Sequence, residues 1–228
     1  MDEIEHYRMH YGDIVSIAWQ LSQGVIYTVF VTLTCFVTGM SIGLAATVLR
    51  RLALPGIDFF LDSFTFIFRG IPILVLVFLV YFGLPGFGIN IHPVVAMNLS
   101  LGLITGAYLA EVFRGALKSV DSTELLAAEA MGMSRMQVFF YVEFPQMLRF
   151  AFPGMVNEFT SVLKNSAFAY TIGISEITRQ ALAITSTTNF GVEVYVIVGL
   201  LYFLIYRVFL FSMKRIERRF VFSAEALN

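Results

Sequence analysis

Between residues 157 and 166 an otherwise apolar stretch carries Asn157, Glu158, Thr160, Ser161, Lys164, Asn165 and Ser166. A carboxylate, amides and hydroxyls at fixed spacing can hold the ammonium and carboxylate of an amino acid. On a helix, Glu158, Ser161 and Asn165 stand three and then four residues apart and form one polar stripe. Lys164 is six residues from Glu158, about 240° around the axis, so the two do not pair along one helix. Glu158 lies nine residues past Arg149, which is about 13 Å of helical rise. With Arg149 at a membrane boundary, Glu158 falls near the midplane, where a charge costs about 2.5–3.5 kcal/mol on insertion scales. Such a group faces a bundle interior or an aqueous cavity. Two readings stand at this point: a substrate site, or an interhelical polar lock that only sets packing. Arg69 is a second candidate, because it precedes Gly70-Ile71-Pro72. Pro72 lacks a donor and kinks or starts a helix, which leaves Arg69 either facing a cavity or snorkelling to the interface. The candidate substrate-binding set is Glu158, Asn157, Ser161, Asn165 and Arg69.

These groups are rare in this chain. Of 228 residues, 58% are hydrophobic and only 14% are charged, against about 25% charged in soluble domains. That balance excludes an ordinary soluble globule and a disordered chain. The net charge of −1 offers no basic excess for nucleic acid. The single cysteine, Cys35, excludes an internal disulfide framework. The stretches Ile14 to Leu49 and Gly70 to Ala110 contain no Asp, Glu, Lys or Arg. A membrane-crossing helix needs about 20 apolar residues, and the second stretch is cut by Leu84-Pro85-Gly86-Phe87-Gly88. The expected fold is an all-α integral membrane protein with five transmembrane helices, at about 24–49, 66–84, 94–112, 150–174 and 191–213. The runs are continuous rather than alternating, which excludes a transmembrane β-barrel.

Residues 1–23 form an N-terminal segment that can lie along the interface, with Trp19 at a depth that tryptophan favours. Its acidic start, Met1-Asp2-Glu3-Ile4-Glu5, is unlike the basic start of a signal peptide. Residues 24–213 form the membrane domain and 214–228 a basic tail. Ten of the fifteen basic residues fall on one side of the five helices: Arg50, Arg51, Arg114, Lys118, Arg135, Arg149, Lys214, Arg215, Arg218 and Arg219. Arg8 and Arg179 fall on the other. The excess places the C-terminus and the loop 113–149 in the cytoplasm, and the N-terminus outside.

That loop has the signals of two short helices. Asp121 or Ser122 can cap the first, Gly132 ends it, Ser134 can cap the second, and Pro145 is expected to break it. Elsewhere, Gly39 with Gly43 and Gly102 with Gly106 mark seams where helices can approach closely. Glu111 and Arg114 share a helix face and can pair.

Ala127-Ala128, then Gly132 after three intervening residues, then Val142-Glu143-Phe144-Pro145 after nine more, resembles the EAA loop of the membrane subunits of binding-protein-dependent ABC importers. Phe68-Arg69-Gly70-Ile71-Pro72, Ala107-Tyr108 through Glu111 to Arg114-Gly115, and Leu163-Lys164-Asn165-Ser166 resemble elements of the polar amino-acid branch of that family. The resemblance implies a permease subunit working by alternating access. It implies ABC ATPase subunits, an extracytoplasmic substrate-binding protein and a second permease chain as partners, with membrane lipid around them. It implies the inner membrane of a bacterium as location. ATP and magnesium would then be bound by the partner ATPase, and no cofactor by this chain.

In the family the loop docks in a cleft of the ATPase, and a glutamate helps pin it. Here that position is Leu126. Glu129 lies about 60° from Leu126 around a helix and Glu124 about 160°, so Glu129 is the better substitute. The residues expected to couple to the ATPase are Glu124, Ala127, Ala128, Glu129 and Gly132. The chain has no phosphate-binding P-loop and no nucleophile elbow, so it is not expected to be an enzyme. His6 and His10 are spaced as metal ligands can be, without the glutamate of a zincin, and no metal site is expected. Alternative functions are a small oligomeric channel lined by Glu158 and Lys164, or a membrane scaffold without a pathway.

Overall fold

The computed structural model describes residues 11–225; His6, His10, Arg8 and the acidic start lie outside the described residues. Helix α1, Tyr11–Arg51, is one unbroken helix through residue 23. Asp13 in its first turn and Arg50 and Arg51 in its last complement the helix dipole. Helix α2 spans Ile57–Gly70 and α3 spans Ile73–Phe78, the latter continuing through a π turn, Leu79–Gly83, and a 3-10 turn, Leu84–Phe87. The span expected over 66–84 is divided between α2 and α3, which are bent by 102° at residues 71–72, where Pro72 is expected to kink or start a helix. Pro72 disfavours a helical conformation at the residue before it, and Ile71 is extended with φ −88° and ψ 127°. Pro72 then starts α3.

Helix α4, Pro93–Leu117, is the centre of the molecule and packs along α1. The two small-residue pairs meet there. A Cβ on Gly39 would lie 2.5 Å from Thr105 Cγ2, and one on Gly106 would lie 2.6 Å from Ile42 Cγ2. Asn98 donates to Thr34 Oγ1 across the same seam at 3.2 Å, and Thr38 donates to Asn98 at 3.2 Å. Further along α1, the buried hydroxyls of Thr28, Thr32 and Thr47 bond the carbonyl four residues back, so burying them leaves no unsatisfied donor.

Helix α5, Ser122–Ala130, and α6, Arg135–Val138, form the loop. Pro145 does not break the second helix. A π turn, Phe139–Glu143, joins α6 directly to α7, Phe144–Asn165, with Pro145 in the first turn of α7. The first turn of a helix does not need that nitrogen as a donor. A 3-10 turn, Ser166–Ile172, leads to α8, Ile177–Thr185, and then α9, Gly191–Glu225. Among the described residues, three helices are long and apolar enough to cross a membrane: Gly12–Arg51, Pro93–Leu117 and Gly191–Arg215. The bent pair Ile57–Gly70 with Ile73–Phe87 makes a fourth if it counts as one span. The span expected at 150–174 is met in part by α7, which starts earlier and ends at Asn165, with Ser166–Ile172 a 3-10 turn. Its charged and amide residues, among them Gln146, Arg149, Asn157 and Glu158, keep it out of the strongly apolar set.

Candidate functional site

The bend at Pro72 brings the end of α2 against α4 and α7 and opens a cavity of about 460 Å³. Arg69, Tyr108, Glu158, Ser161 and Asn165 line it, with Thr105, Leu101 and Val162. Four of the five residues expected to bind substrate are therefore brought together. Asn157 is not: it is exposed and outside the lining, because neighbours on a helix point about 100° apart. Lys164 is also exposed and outside it.

Glu158 is half-buried, and among the described residues nothing hydrogen-bonds to it. Arg69, on the opposite wall, is the charge that acts on it. Asn165 Nδ2 donates to Ser161 Oγ at 3.3 Å, so the stripe is linked along α7. Thr160 turns back to the Val156 carbonyl and contributes nothing to the cavity. Arg69 lies over the ring of Tyr108, 5.2 Å from its centroid, and its Nη1 is 3.7 Å from Glu111. Glu111 also accepts from Arg114, the expected pair on one helix face. Arg69 is thus held by α4 with much of its guanidinium still free. The wall pairs a fixed cation with an uncommitted carboxylate and with an amide and hydroxyl that bond each other, an arrangement able to orient a zwitterion.

Tyr108 is a wall residue that spacing alone did not single out as a ligand. Its signal lay three residues before Glu111 on α4, within reach of Arg69. Glu176 was also missed. It is fully buried, caps α8, and accepts from the backbone N–H groups of Thr178 and Arg179, each at 2.8 Å, and from the Tyr202 hydroxyl at 2.9 Å. Ile177 N donates to Thr28 Oγ1 at 3.3 Å, so α1, α8 and α9 meet at this one cap. An oxygen-bearing side chain just before Ile177-Thr178-Arg179 was the available cue.

In the loop, Asp121 rather than Ser122 caps α5, accepting from Thr123 N at 2.8 Å. That bond holds its carboxyl below the usual carboxylate range. Gly132, at φ +80°, takes the left-handed turn that ends α5. Ser134 and Gln137 form a reciprocal capping box on α6. Glu124 accepts from Gln146 of α7 and is engaged by its own chain. Glu129 is exposed, as are Ala127, Leu126 and Met131, while Ala128 is buried inward. Glu143 is buried and pairs with Arg51 at 2.7 Å, anchoring the loop to the last turn of α1. Burial pushes its carboxyl up, against the opposing pull of Arg51 and Arg135.

Residues 39–222 match the family described as binding-protein-dependent transport system inner membrane component. The chain belongs to that family. Among members of this transport-component family, it is 32% identical to the histidine/lysine/arginine/ornithine transport system permease protein HisQ of Escherichia coli (strain K12), over 87% of this chain and 92% of that one. It is 30% identical to the probable amino-acid permease protein YxeN of Bacillus subtilis (strain 168), over 87% and 90%. A solved structure of an amino acid ABC transporter with histidines superposes with a TM-score of 0.85 at 31% identity, covering 93% of this chain and 99% of that one. As an inner-membrane component of this family, the chain is the permease part of an ABC importer and carries no catalytic centre; ATP hydrolysis belongs to a partner ATPase.

Proposed function

We propose that this chain forms the pathway for a polar amino acid in a bacterial inner-membrane importer, working by alternating access with a second permease chain. The observation that carries the reading is the cavity at the Pro72 bend, where Arg69 faces Glu158, Ser161 and Asn165. Arg69 suits the α-carboxylate, and Glu158 suits the α-ammonium or a cationic side chain. The likeness to HisQ, named for histidine, lysine, arginine and ornithine, favours substrates that carry such a charge. In this reading α7 is a further span, polar because it lines the path, and the bent α2–α3 pair is another, which makes five. The N-terminus is then outside and the basic tail cytoplasmic, as the lysine and arginine count requires.

The same reading has an extracytoplasmic binding protein deliver substrate and an ATPase receive the loop over α5 and α6. Exposed Glu129, Ala127 and the turn at Gly132 meet the ATPase cleft. Ala128 keeps α5 seated on its own chain, and Glu124 holds α5 to α7 through Gln146. The test is uptake by the assembled complex in proteoliposomes, with a panel of loaded binding proteins. Stimulated ATPase and ATP-dependent uptake of a polar amino acid are expected. Flux without ATP, as in a channel, overturns the proposal. Glu129→Ala is expected to lower the stimulated ATPase rate several-fold more than Glu124→Ala. Equal losses, or none in either, remove the role given to Glu129.

A further inference from the structure

A second cavity, of about 380 Å³, lies where α1 and α4 end, walled by α2 and the start of α6. Five cations line it: Arg50, Arg51, Arg114, Lys118 and Arg135, with Asp58 as the acid among the lining residues. Basic residues at helix C-termini can serve only to offset the helix dipole and mark the cytoplasmic side. The ion pairs separate that role from another. Arg50 bonds Asp58 and Asp62 at 3.3 and 2.8 Å, Arg51 bonds Glu143 at 2.7 Å, and Arg114 bonds Glu111. Lys118 and Arg135 form no ion pair within 4 Å among the described residues, although both line the same space and Arg135 acts on Glu143 from a distance. The floor is apolar: Ala46, Leu61 and Ala110 pack together beneath the charged rim. Next to the mouth, about a third of a turn around α2 from the lining face, Phe59 and Phe66 are 80% and 83% exposed. A ligand that fits is an anion with an apolar body attached.

We propose that this cavity binds the phosphate of an anionic phospholipid, with Lys118 and Arg135 as its ligands and the acyl chains laid along Phe59 and Phe66. Arg50, Arg51 and Arg114, already paired, keep the walls in place and supply background charge. Basic pockets between membrane helices at the cytoplasmic face recognise acidic head groups by this chemistry. The two cavities share α2 and α4 as walls but no lining residue, and the phosphate site is argued from its own cations, independently of the substrate reading.

The test is a native mass-spectrometry titration of the purified, delipidated full chain with phosphatidylglycerol, phosphatidylcholine or inorganic phosphate. Phosphatidylglycerol is expected to bind at least tenfold more tightly than phosphatidylcholine. The double substitution Lys118→Gln with Arg135→Gln is expected to weaken it roughly 25-fold, about fivefold for each cation lost near a membrane surface. The charge-keeping pair Lys118→Arg with Arg135→Lys is expected to retain it, as is Arg207→Gln, an exposed cation on α9. Equal binding of the two lipids, or unchanged binding in the double glutamine variant, overturns the site. Displacement of phosphatidylglycerol by inorganic phosphate at the same concentration overturns the lipid as its source. If the glutamine variant does not fold, the lipid preference of the unaltered chain decides alone.

Discussion

The two longest helices, α1 with 41 residues and α9 with 35, are both apolar yet are completed in different ways. On α1, glycines are where another backbone comes closest. A Cβ on Gly24 would lie 2.7 Å from both N and Cα of Ile177, and one on Gly39 would meet Thr105 and the Gly106 nitrogen. On α9, Gly191 and Gly199 have nothing within 4 Å, and only 11% of its most apolar window is buried. The difference separates what the chain supplies to itself from what its surroundings must supply. The face of α1 is closed by its own α4 and α8, and through α4 it sets the position of one cavity wall. Most of α9 is left to lipid or to another chain.

The sharpest way to break that comparison is Gly24→Ala. Backbone cannot yield as a side-chain tip can, so the added methyl must push α8 off α1 and lengthen the bond from Ile177 N to Thr28. A loss of about 2–3 kcal/mol of stability is expected, read as a lowered thermal midpoint in detergent. Gly39→Ala is expected to cost a similar amount, about 2–3 kcal/mol, because the methyl would lie 2.6 Å from Thr105 Cβ, which a rotamer change does not move. A neutral Gly24→Ala would show that the α1–α8 contact is not close-packed.

A smaller effect is expected where α1 meets the loop. Glu143 has its carboxyl raised by burial. A raised folded-state value means that its contribution is fully present below the unfolded carboxylate range and is lost as pH rises through the raised value. The stability of the natural chain relative to Glu143→Gln should therefore fall as pH climbs just above the ordinary carboxylate range. Thermal midpoints of the two chains across that interval check the sign, and a difference that grows with pH contradicts it.

The smallest effect belongs to α9. Gly199→Ala is expected to leave the isolated chain unchanged or to stabilise it by up to about 1 kcal/mol, as alanine does in an open helix interior. Loss of assembly with an unchanged midpoint in the isolated chain would sharpen the comparison, because it would put Gly199 against a partner chain.

How far these features could be read beforehand follows the same division. Charge-free runs placed α1 and α4, and an apolar run broken only by Glu193 and Arg207 placed α9, because each helix announces itself along its own sequence. The stripe of Glu158, Ser161 and Asn165, the caps at Asp121 and Ser134, and the turn at Gly132 are equally local, and all appear as spaced. What stayed hidden depends on register between distant elements. Tyr108 beneath Arg69, Arg51 against Glu143, and Glu176 under Tyr202 each join residues at least 26 positions apart. Pro145 was misjudged for a related reason. A proline is tolerated in the first turn of a helix, where its nitrogen is not needed as a donor, and the π turn Phe139–Glu143 puts Pro145 in that position of α7.

The central claim is that Glu158 is held open for a substrate rather than locked in packing. The direct measurement is substrate binding and ATP-driven uptake by the assembled complex carrying Glu158→Gln, beside its thermal midpoint. A group that nothing among the described residues hydrogen-bonds should be replaceable without loss of fold, so an unchanged midpoint with affinity lowered about tenfold or more is expected, in line with loss of one charge-assisted contact. An unchanged affinity and rate, or a collapse of the midpoint, would contradict the account and leave Glu158 only a structural role.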